Sequence, residues 1–374
     1  MGSPDSGQDL GRDTGAVGYT ATIVAAKRGL EQHNPQPLVT DPYALALAGA
    51  ESGHLLAKWE AVAQNQGITL AEVLAKRTRY VAVRTRFFDE AIQGFVRSVG
   101  AKALEPSAQV KAQVKAQIKP QVQAQVVILG AGLDTRALRL PELAEACCYE
   151  VDRPEVLAYK VQCLQTISPI SPASPLVTTQ SVTAQSIAAQ SVTAQSIAAQ
   201  SIAAQSIAAQ AIAAQSVTAP GRLYRIAADL AQPQDWLNAL EGQGWSAQCP
   251  TFWVLEGVVM YLTAEEAGKL LRSLRESSSL GSVVGLDGVR SGSIRAAQDL
   301  QQQARGRVVR HWQFGHDRPQ DWFQTCGWSA QIFRPSQLPW AKSRYPAQVP
   351  ESPEMGGYDS ERGVWLALAD PDGA

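Results

Sequence analysis

Two glycines and three acidic residues, each placed just after a predicted strand, are the residues of this sequence best suited to ligand chemistry. Gly130 and Gly132 follow a short apolar run, and Asp152 lies about 20 residues beyond them. Glycine lets the backbone approach a ligand closely, and a carboxylate at that spacing is typical of one that binds ribose hydroxyls. Asp229 and Glu256 follow two later apolar runs. The pattern predicts a nucleoside site formed by one turn and successive strand ends.

The glycine turn distinguishes between two adenosine-containing cofactors. The dinucleotide fingerprint has a third glycine where this sequence has Thr135. Without that glycine, the sequence does not provide for the close helix packing against a pyrophosphate that a dinucleotide requires. This counts against an NAD-dependent oxidoreductase. S-adenosyl-L-methionine has no phosphate and needs only the glycine turn, the ribose acid Asp152 and an acid beside the adenine amine. Asp229 fits the adenine position, and Leu230 can add packing and backbone contacts.

The elements that must position these residues alternate between strands and helices. Helical spacing predicts helices over 234–240 and 264–276, and a final antiparallel hairpin is predicted from 328–333 and 363–369. This alternation indicates an α/β fold with a doubly wound, mainly parallel sheet, in which ligands bind at the carboxyl ends of strands. A short, continuous apolar run predicts a parallel strand at 126–129. Further strands are predicted at 147–151, 223–227, 251–255 and 282–286, the last ending at Asp287.

The charge of the chain is balanced but unevenly distributed. Lysines and arginines total 33 against 34 aspartates and glutamates, and charged residues make up 18% of the chain, below the usual value of about 25%. No charged residue occurs in 161–221, and this segment accounts for most of the low fraction of charged residues. The formal net charge of -1 counts against a nucleic-acid partner, which usually requires a strongly basic face.

Two low-complexity segments interrupt the alternation of strands and helices. Residues 180–219 repeat a five-residue unit, QSVTA or QSIAA, and 109–125 form a shorter run with a four-residue period. A five-residue period gives neither a helix nor a strand a continuous apolar face. Two interpretations remain for the longer repeat: a low-complexity expansion in a surface loop, or a small solenoid that stacks its isoleucines and valines.

Cysteine usage and apolar content indicate the compartment. Five cysteines form no CxxC pair, so neither a zinc site nor a disulfide framework is predicted. The N-terminal residues lack the basic and apolar regions of a signal peptide, and no apolar run reaches membrane-spanning length. We therefore expect a cytoplasmic protein with no metal site and no membrane association.

Six segments of the sequence match a known family in order along most of the chain. The most specific are VVILGAGLDTRALRL at 126–140 and YEVDRPEV at 149–156. They resemble the leucine carboxyl methyltransferase-like family of class I S-adenosylmethionine-dependent methyltransferases, especially bacterial members of unassigned substrate. The other matching segments are AAKRGLEQHNPQPLVTDPYA at 25–44, RTRYVAVRTRFFDEAI at 77–92, AADL at 227–230 and WVLEGVVMYL at 253–262.

The resemblance implies a domain organisation. It predicts a Rossmann-like core with a seven-stranded sheet over 126–374, interrupted by the low-complexity insertion 161–221. Residues 1–108 would form a helical lid over the cofactor, and 109–125 would be a repeat-expanded connector between the lid and the core.

The resemblance also implies roles for individual basic residues. Lys27 and one arginine of 77–86 would bind the methionine carboxylate of the cofactor, and Arg79 and Arg84 are both candidates. A guanidinium suits this role because it can hold a carboxylate with two parallel hydrogen bonds.

The remaining site residues follow from the same resemblance. Gly130 and Gly132 would line the methionine portion of S-adenosyl-L-methionine, and Asp152 would bind its ribose. Asp229 and Leu230 would contact the adenine. Glu256 would form the floor of the site beside the amino group.

The predicted reaction is methyl transfer to an oxygen of a carboxylate or hydroxyl, on a small molecule or a peptide C-terminus. A carboxylate needs no base, whereas a hydroxyl does; His311, His316 and Tyr261 are candidates, and none is assigned. The alternative is a non-catalytic scaffold on a vestigial methyltransferase core, with the repeat insertion as its interaction segment. A cluster of aromatic residues could wall a substrate pocket, although core packing is favoured: Trp312, Phe314, Trp322 and Trp328.

Overall fold

The computed structural model describes residues 15–104, 123–167, 221–295, 312–345 and 363–371. The connector predicted over 109–125 lies outside these ranges except for its last three residues. The repeat at 180–219 lies wholly outside them, and so does His311.

Seven strands form one mixed sheet. The strand order is β3-β2-β1-β4-β5-β7-β6, in which the first five strands are parallel and β7 runs antiparallel to both of its neighbours. The predicted doubly wound, mainly parallel, seven-stranded sheet is therefore confirmed. The strands are β1 Gln125–Leu129, β2 Cys147–Asp152, β3 Arg222–Ala227, β4 Thr251–Leu255, β5 Val283–Val289, β6 Trp328–Phe333 and β7 Val364–Pro371.

The sheet changes its winding direction at β1. This strand pairs with β2 on one side and with β4 on the other, so the crossovers from β1 lead in opposite directions. In open α/β sheets, such a switch point leaves a crevice at the carboxyl ends of the strands. The glycine turn directly follows β1 and therefore lies at this crevice.

Two features of the second half of the sheet differ from the sequence-based expectation. Strand β5 continues to Val289 because β7 pairs with it as far as Val364. Asp287 consequently lies within the strand, fully buried, instead of following it. Strands β6 and β7 pair antiparallel as predicted, but a long connection separates them in sequence, so they do not form a tight hairpin.

Nine labelled helices surround the sheet in the described part of the chain. Helix α6 continues to Thr166, so the uncharged segment that begins at residue 161 starts inside this helix. Among the described residues, no helix has both the length and the apolar character needed to cross a bilayer. The helices are α1 Gly15–Glu31, α2 Ala44–Ala48, α3 Ala50–Gln66, α4 Leu70–Leu104, α5 Arg136–Arg139, α6 Pro154–Thr166, α7 Pro233–Gly242, α8 Ala264–Glu276 and α9 Pro319–Thr325.

The parallel strands bury both of their faces. All residues of β1, β2 and β4 are buried, which agrees with the apolar runs of β1 and β4. Strand β2 also buries Glu150, which pairs with Lys160 at 2.8 Å and with Arg225 at 3.0 Å. Successive side chains alternate, so Val127 belongs to the core cluster shared with α7, α8 and α9, whereas Val126 belongs to the cluster shared with α4. Two separate cores thus hold the helices against the sheet and fix the strand ends.

Candidate functional site

The glycine turn after β1 has a backbone that requires glycine. Gly130 and Gly132 have φ values of 66° and 49°, in the left-handed region that L side chains rarely adopt. A Cβ on Gly130 would lie 2.6 Å from Cγ2 of Val258. The Gly130 N–H donates to the carbonyl of Val151, 2.8 Å away, and so ties the turn to β2.

Asp152 ends β2 and holds the same turn from the other side. Its carboxylate accepts hydrogen bonds from the backbone N–H groups of Gly132, at 2.6 Å, and Arg153, at 2.7 Å. Burial raises the pKa of Asp152 above its usual value, and the two N–H donors only partly oppose this effect. A ligand hydroxyl that donates to this carboxylate would stabilise its charged form.

A cavity of about 260 Å³ opens at these strand ends. Helix α1 covers it with Thr20, Ala21, Val24 and Arg28. The structure brings most of the predicted site residues together around this one space. Those that line it are Arg84, Gly130, Gly132, Asp152, Asp229, Leu230 and Glu256.

Two of the predicted residues, both described, lie outside the lining of the cavity. Arg79 donates to the carbonyl of Arg344, 3.1 Å away, and its guanidinium lies 4.4 Å from the ring centroid of Tyr345. Lys27 is half-buried on α1, next to Arg28, which does line the cavity. Of the two candidate arginines, the geometry therefore favours Arg84 over Arg79. The role predicted for Lys27 stays a prediction.

Glu256 lines the cavity between two arginines. Its carboxylate is 2.9 Å from Nε of Arg84 and 2.6 Å from a terminal nitrogen of Arg136. Burial would raise the pKa of Glu256, but the charges of Arg136 and Arg84 outweigh burial and lower it. This part of the cavity lining is therefore an ionised carboxylate paired with two guanidinium groups. Its contact with a cofactor amino group stays a prediction.

Arg136 has a central position that the sequence pattern did not single out. Its side chain, 2% exposed, pairs with Asp134, with Asp89 of α4 at 2.7 Å and with Glu256. Burial would raise the pKa of Asp134, but the nearby positive charges, of which Arg136 contributes most, together outweigh burial and lower it to about 2. The signal in the sequence was the pair of charged residues, Asp134 and Arg136, directly after a buried strand and its turn.

Asp287 also contributes to the site without having been predicted. Its carboxylate accepts from the Tyr80 hydroxyl at 2.8 Å, from Arg84 at 2.9 Å and from the backbone N–H of Gly257. Gly257 directly follows Glu256 and has a φ of 71°. Asp287 thus fixes both Arg84 and the turn after β4. The sequence placed this acid near a strand end, but only the pairing of β5 with β7 shows that it is buried.

The charged residues around the cavity leave one negative charge in excess. Three arginines and four carboxylates line it, and such a lining complements a ligand that carries a net positive charge. The arginines are Arg28, Arg84 and Arg153, and the acids are Asp134, Asp152, Asp229 and Glu256.

The residues considered as bases or pocket walls occupy different places. Tyr261 lines the cavity, whereas His316 lies outside the lining and its ring stacks on Trp322, with ring centroids 6.4 Å apart. The four aromatic residues of the predicted cluster are buried in core clusters, and within the described chain none of them lines the cavity. Core packing is therefore the interpretation that the structure favours for Trp312, Phe314, Trp322 and Trp328.

Comparison with known proteins identifies the family of this chain. The sequence profile described as leucine carboxyl methyltransferase matches residues 21–104 and 107–275. A protein of Mycobacterium sp. (strain JLS) is 30% identical over 271 residues, which cover 71% of this chain and 64% of that relative. A protein of Streptomyces coelicolor is 28% identical over 273 residues, 72% of this chain and 65% of that relative. Both are provisionally named S-adenosyl-L-methionine-dependent methyltransferases.

The match does not extend over the full length of these relatives. The chain spans slightly less than two thirds of each of them. Among solved structures, a provisionally named methyltransferase from Thermobifida fusca aligns with 92% of this chain and 97% of its own, at 15% identity and a TM-score of 0.42. The family profile covers more than half of the chain, and so the chain belongs to the leucine carboxyl methyltransferase family.

Proposed function

We propose that the protein binds S-adenosyl-L-methionine in this cavity and transfers its methyl group to an oxygen of a small molecule or a peptide carboxylate. The observation that carries the proposal is the position of Asp152. Its carboxylate ends β2, holds the Gly132 N–H at 2.6 Å and lines the same cavity as Asp229. An adenosyl group would meet the ribose acid and the adenine acid in this arrangement.

The turn suits an adenosyl ligand without phosphates. A pyrophosphate is usually held at the N-terminus of a helix of several turns, which supplies free N–H groups and a dipole. Here the turn leads into α5, which has only four residues. The side chain of Thr135, at the start of that helix, points to Asp41 and forms a hydrogen bond with it. These features favour S-adenosyl-L-methionine over NAD.

The charge of the cavity also supports the proposal. S-adenosyl-L-methionine supplies a methyl group on a positively charged sulfur, and its amino and carboxylate groups cancel each other's charge. The lining, with one negative charge in excess, complements that net charge. Arg84 would bind the methionine carboxylate, together with Lys27, and Glu256 would lie beside the amino group. Asp287 and Arg136 would hold these two side chains in place through the ion pairs described above.

Methyl transfer to oxygen mainly requires that the acceptor oxygen, the methyl carbon and the sulfur are aligned and that water is excluded. A strong acid or base is less important for this reaction. Helix α1 covers the cavity and can exclude water, while Tyr261 and Leu262 line it beside the turn after β4. From the lining of the cavity, Tyr261 would orient an acceptor oxygen. A carboxylate acceptor needs no proton removed, and for this reason we favour it.

The direct test is isothermal titration calorimetry of the full chain with S-adenosyl-L-methionine. We expect Asp152→Ala to weaken binding about 10- to 100-fold, since a hydrogen bond to a charged group contributes roughly 1.5–3 kcal/mol. Asp321→Ala removes an exposed aspartate that pairs with Arg318 on the surface, so it should bind like wild type. Equal affinity of wild type and Asp152→Ala would contradict the site.

The acceptor is tested separately by transfer of a labelled methyl group. Metabolite extracts and peptides with free carboxyl termini serve as the two acceptor pools, and amidated peptides serve as matched controls. We expect label to enter base-labile esters of carboxylates. Label in base-stable products only would contradict a carboxylate acceptor while leaving the cofactor site intact.

A further inference from the structure

Thr135 stands where a dinucleotide-binding turn would have its third glycine, and its hydroxyl forms a long-range contact. Thr135 Oγ1 donates to Oδ2 of Asp41, 2.5 Å away. Both residues are buried, Thr135 with 1% of its surface exposed and Asp41 with none. Asp41 lies between α1 and α2, outside the sheet, so this hydrogen bond joins the cofactor turn to the N-terminal helices.

A second contact joins the same two parts of the molecule. Arg28 of α1 donates from Nε to Asp41, at 2.6 Å, and from a terminal nitrogen to the carbonyl of Leu133, also at 2.6 Å. Leu133 belongs to the turn between Gly132 and Thr135. Arg139 completes the group, because its Nε donates to the Thr135 hydroxyl at 3.3 Å and lies 3.9 Å from Asp41.

These contacts hold the turn from both ends. Asp152 binds the N–H of Gly132, and Asp41 binds the hydroxyl of Thr135. The helix that Arg28 anchors is also the one that covers the cavity with Thr20 and Val24. The turn and the helix that covers the cavity are therefore joined in two ways, through the buried carboxylate of Asp41 and through the direct hydrogen bond from Arg28 to Leu133.

We propose that Thr135 and Asp41 are positioning residues that tether helix α1 to the glycine turn, so that ordering of the turn by a cofactor and closure of α1 over it occur together. The coupling to a cofactor rests on the proposed function, whereas the tether itself does not. The ligand is S-adenosyl-L-methionine, and neither Thr135 nor Asp41 lines the cavity among the residues that the structure describes.

The test uses three variants of the full chain. Thr135→Val keeps the shape of the side chain and removes the hydroxyl, so that Asp41 loses one donor. Thr135→Ser retains the hydroxyl and should behave like wild type. Thr85→Val is the matched control, because Thr85 is equally buried and its hydroxyl has no hydrogen-bond partner within the described residues.

The first readout is hydrogen exchange of the ligand-free protein. We expect Thr135→Val to speed exchange of the amides of α1 about tenfold, while the amides of β1 and β4 stay within twofold of wild type. Thr135→Ser and Thr85→Val should leave α1 unchanged. Unchanged exchange of α1 in Thr135→Val would overturn the tether, and so would equal acceleration in the strands, which would indicate general destabilisation.

The second readout is the affinity for S-adenosyl-L-methionine. We expect Thr135→Val to bind about tenfold more weakly than wild type and Thr135→Ser to bind within threefold. If wild type binds no cofactor, the proposed function fails, and the exchange experiment alone still decides the tether. If wild type and Thr135→Val bind S-adenosyl-L-methionine equally well, the proposed coupling between the turn and helix α1 is wrong, whereas the proposed function is supported. Should Thr135→Val not fold, Thr135→Ala and Asp41→Asn repeat both measurements.

Discussion

The two faces of the sheet are packed with different chemistry. On the face covered by α7, α8 and α9, the core contains six tryptophans and two phenylalanines, and several of their rings contact one another edge to face or tilted. On the face covered by α4, apolar side chains cover the middle of the strands. Charged side chains of the same helix cover the carboxyl ends, where the cavity lies.

The tryptophans of the aromatic face contribute stability without lining the cavity. Trp253 of β4 lies between Trp245 and Trp236, with ring centroids 5.4 and 6.3 Å away, and Trp328 of β6 is fully buried. Rings of this size bury a large apolar area, and their edge contacts add to it. Within the described chain, the cavity-lining residues include no tryptophan.

Helix α4 combines both kinds of packing along its length. Phe88 and Phe95 belong to its apolar core, whereas Arg84 and Asp89 reach the carboxylates and arginines at the strand ends. Buried ions are costly to desolvate and contribute little net stability compared with apolar residues. The concentration of buried ions at one end of the sheet indicates that they position the residues that line the cavity. The difference between the two faces leads to the following predictions.

The largest effect is expected on the charged face. Arg136→Met keeps the length of the side chain but leaves Asp89, Asp134 and Glu256 without this shared partner. We expect a loss of about 3–5 kcal/mol in the free energy of unfolding, measured by urea denaturation. Arg97→Met removes an exposed ion pair with Glu142 and should cost less than about 1 kcal/mol. Equal losses would show that the buried network is no more important than a surface pair.

A smaller effect is expected on the aromatic face. The indole N–H of Trp328 donates to the carbonyl of Leu271 at 2.9 Å, and Trp328→Phe removes this bond and part of the ring. We expect the free energy of unfolding to fall by about 2–3 kcal/mol. Affinity for S-adenosyl-L-methionine should stay within twofold of wild type, measured by calorimetry at 15 °C. A tenfold loss of affinity would contradict the separation of the two faces.

The smallest effect concerns pH, and only the charged face should respond. The pKa values of Asp41, Asp134 and Glu256 are lower in the folded protein than their usual values. A carboxylate with a depressed pKa stabilises the folded state above its unfolded pKa, and this stability is lost as pH falls through the folded pKa. For Asp134 the window runs from 3.8 down to about 2, and the loss is roughly 2 kcal/mol.

Urea unfolding at pH 7, 4 and 3 measures this loss, and Asp134→Asn is the control. The variant lacks the titrating group and should show a smaller decrease in stability between pH 4 and pH 3. Asp152 acts in the opposite direction, because burial raises its pKa and protonation then favours the folded state. Identical pH profiles for wild type and Asp134→Asn would contradict the role assigned to the ion network.

Much of the fold could be predicted because its signals are local. The apolar runs before Gly130 and Glu256 are continuous, and such runs are typical of strands buried on both faces. The helix over Ala264–Glu276 was predicted with its observed bounds from the helical spacing of its leucines, and in the structure a capping box of Thr263 and Glu266 begins it. The extension of β5 to Val289 could not be predicted, since it depends on pairing with a strand about 75 residues further along the chain.

The sequence by itself predicted the residues at the strand ends, namely the glycine turn at Gly130 and Gly132 and the acids Asp152 and Asp229, none of which requires knowledge of distant contacts. The tertiary structure alone decided which arginine reaches the cavity, and that Arg136, Asp287 and the Thr135–Asp41 pair support it. The physical reason is that a buried charge is stable only with partners, and these partners come from helices that lie far away in the sequence.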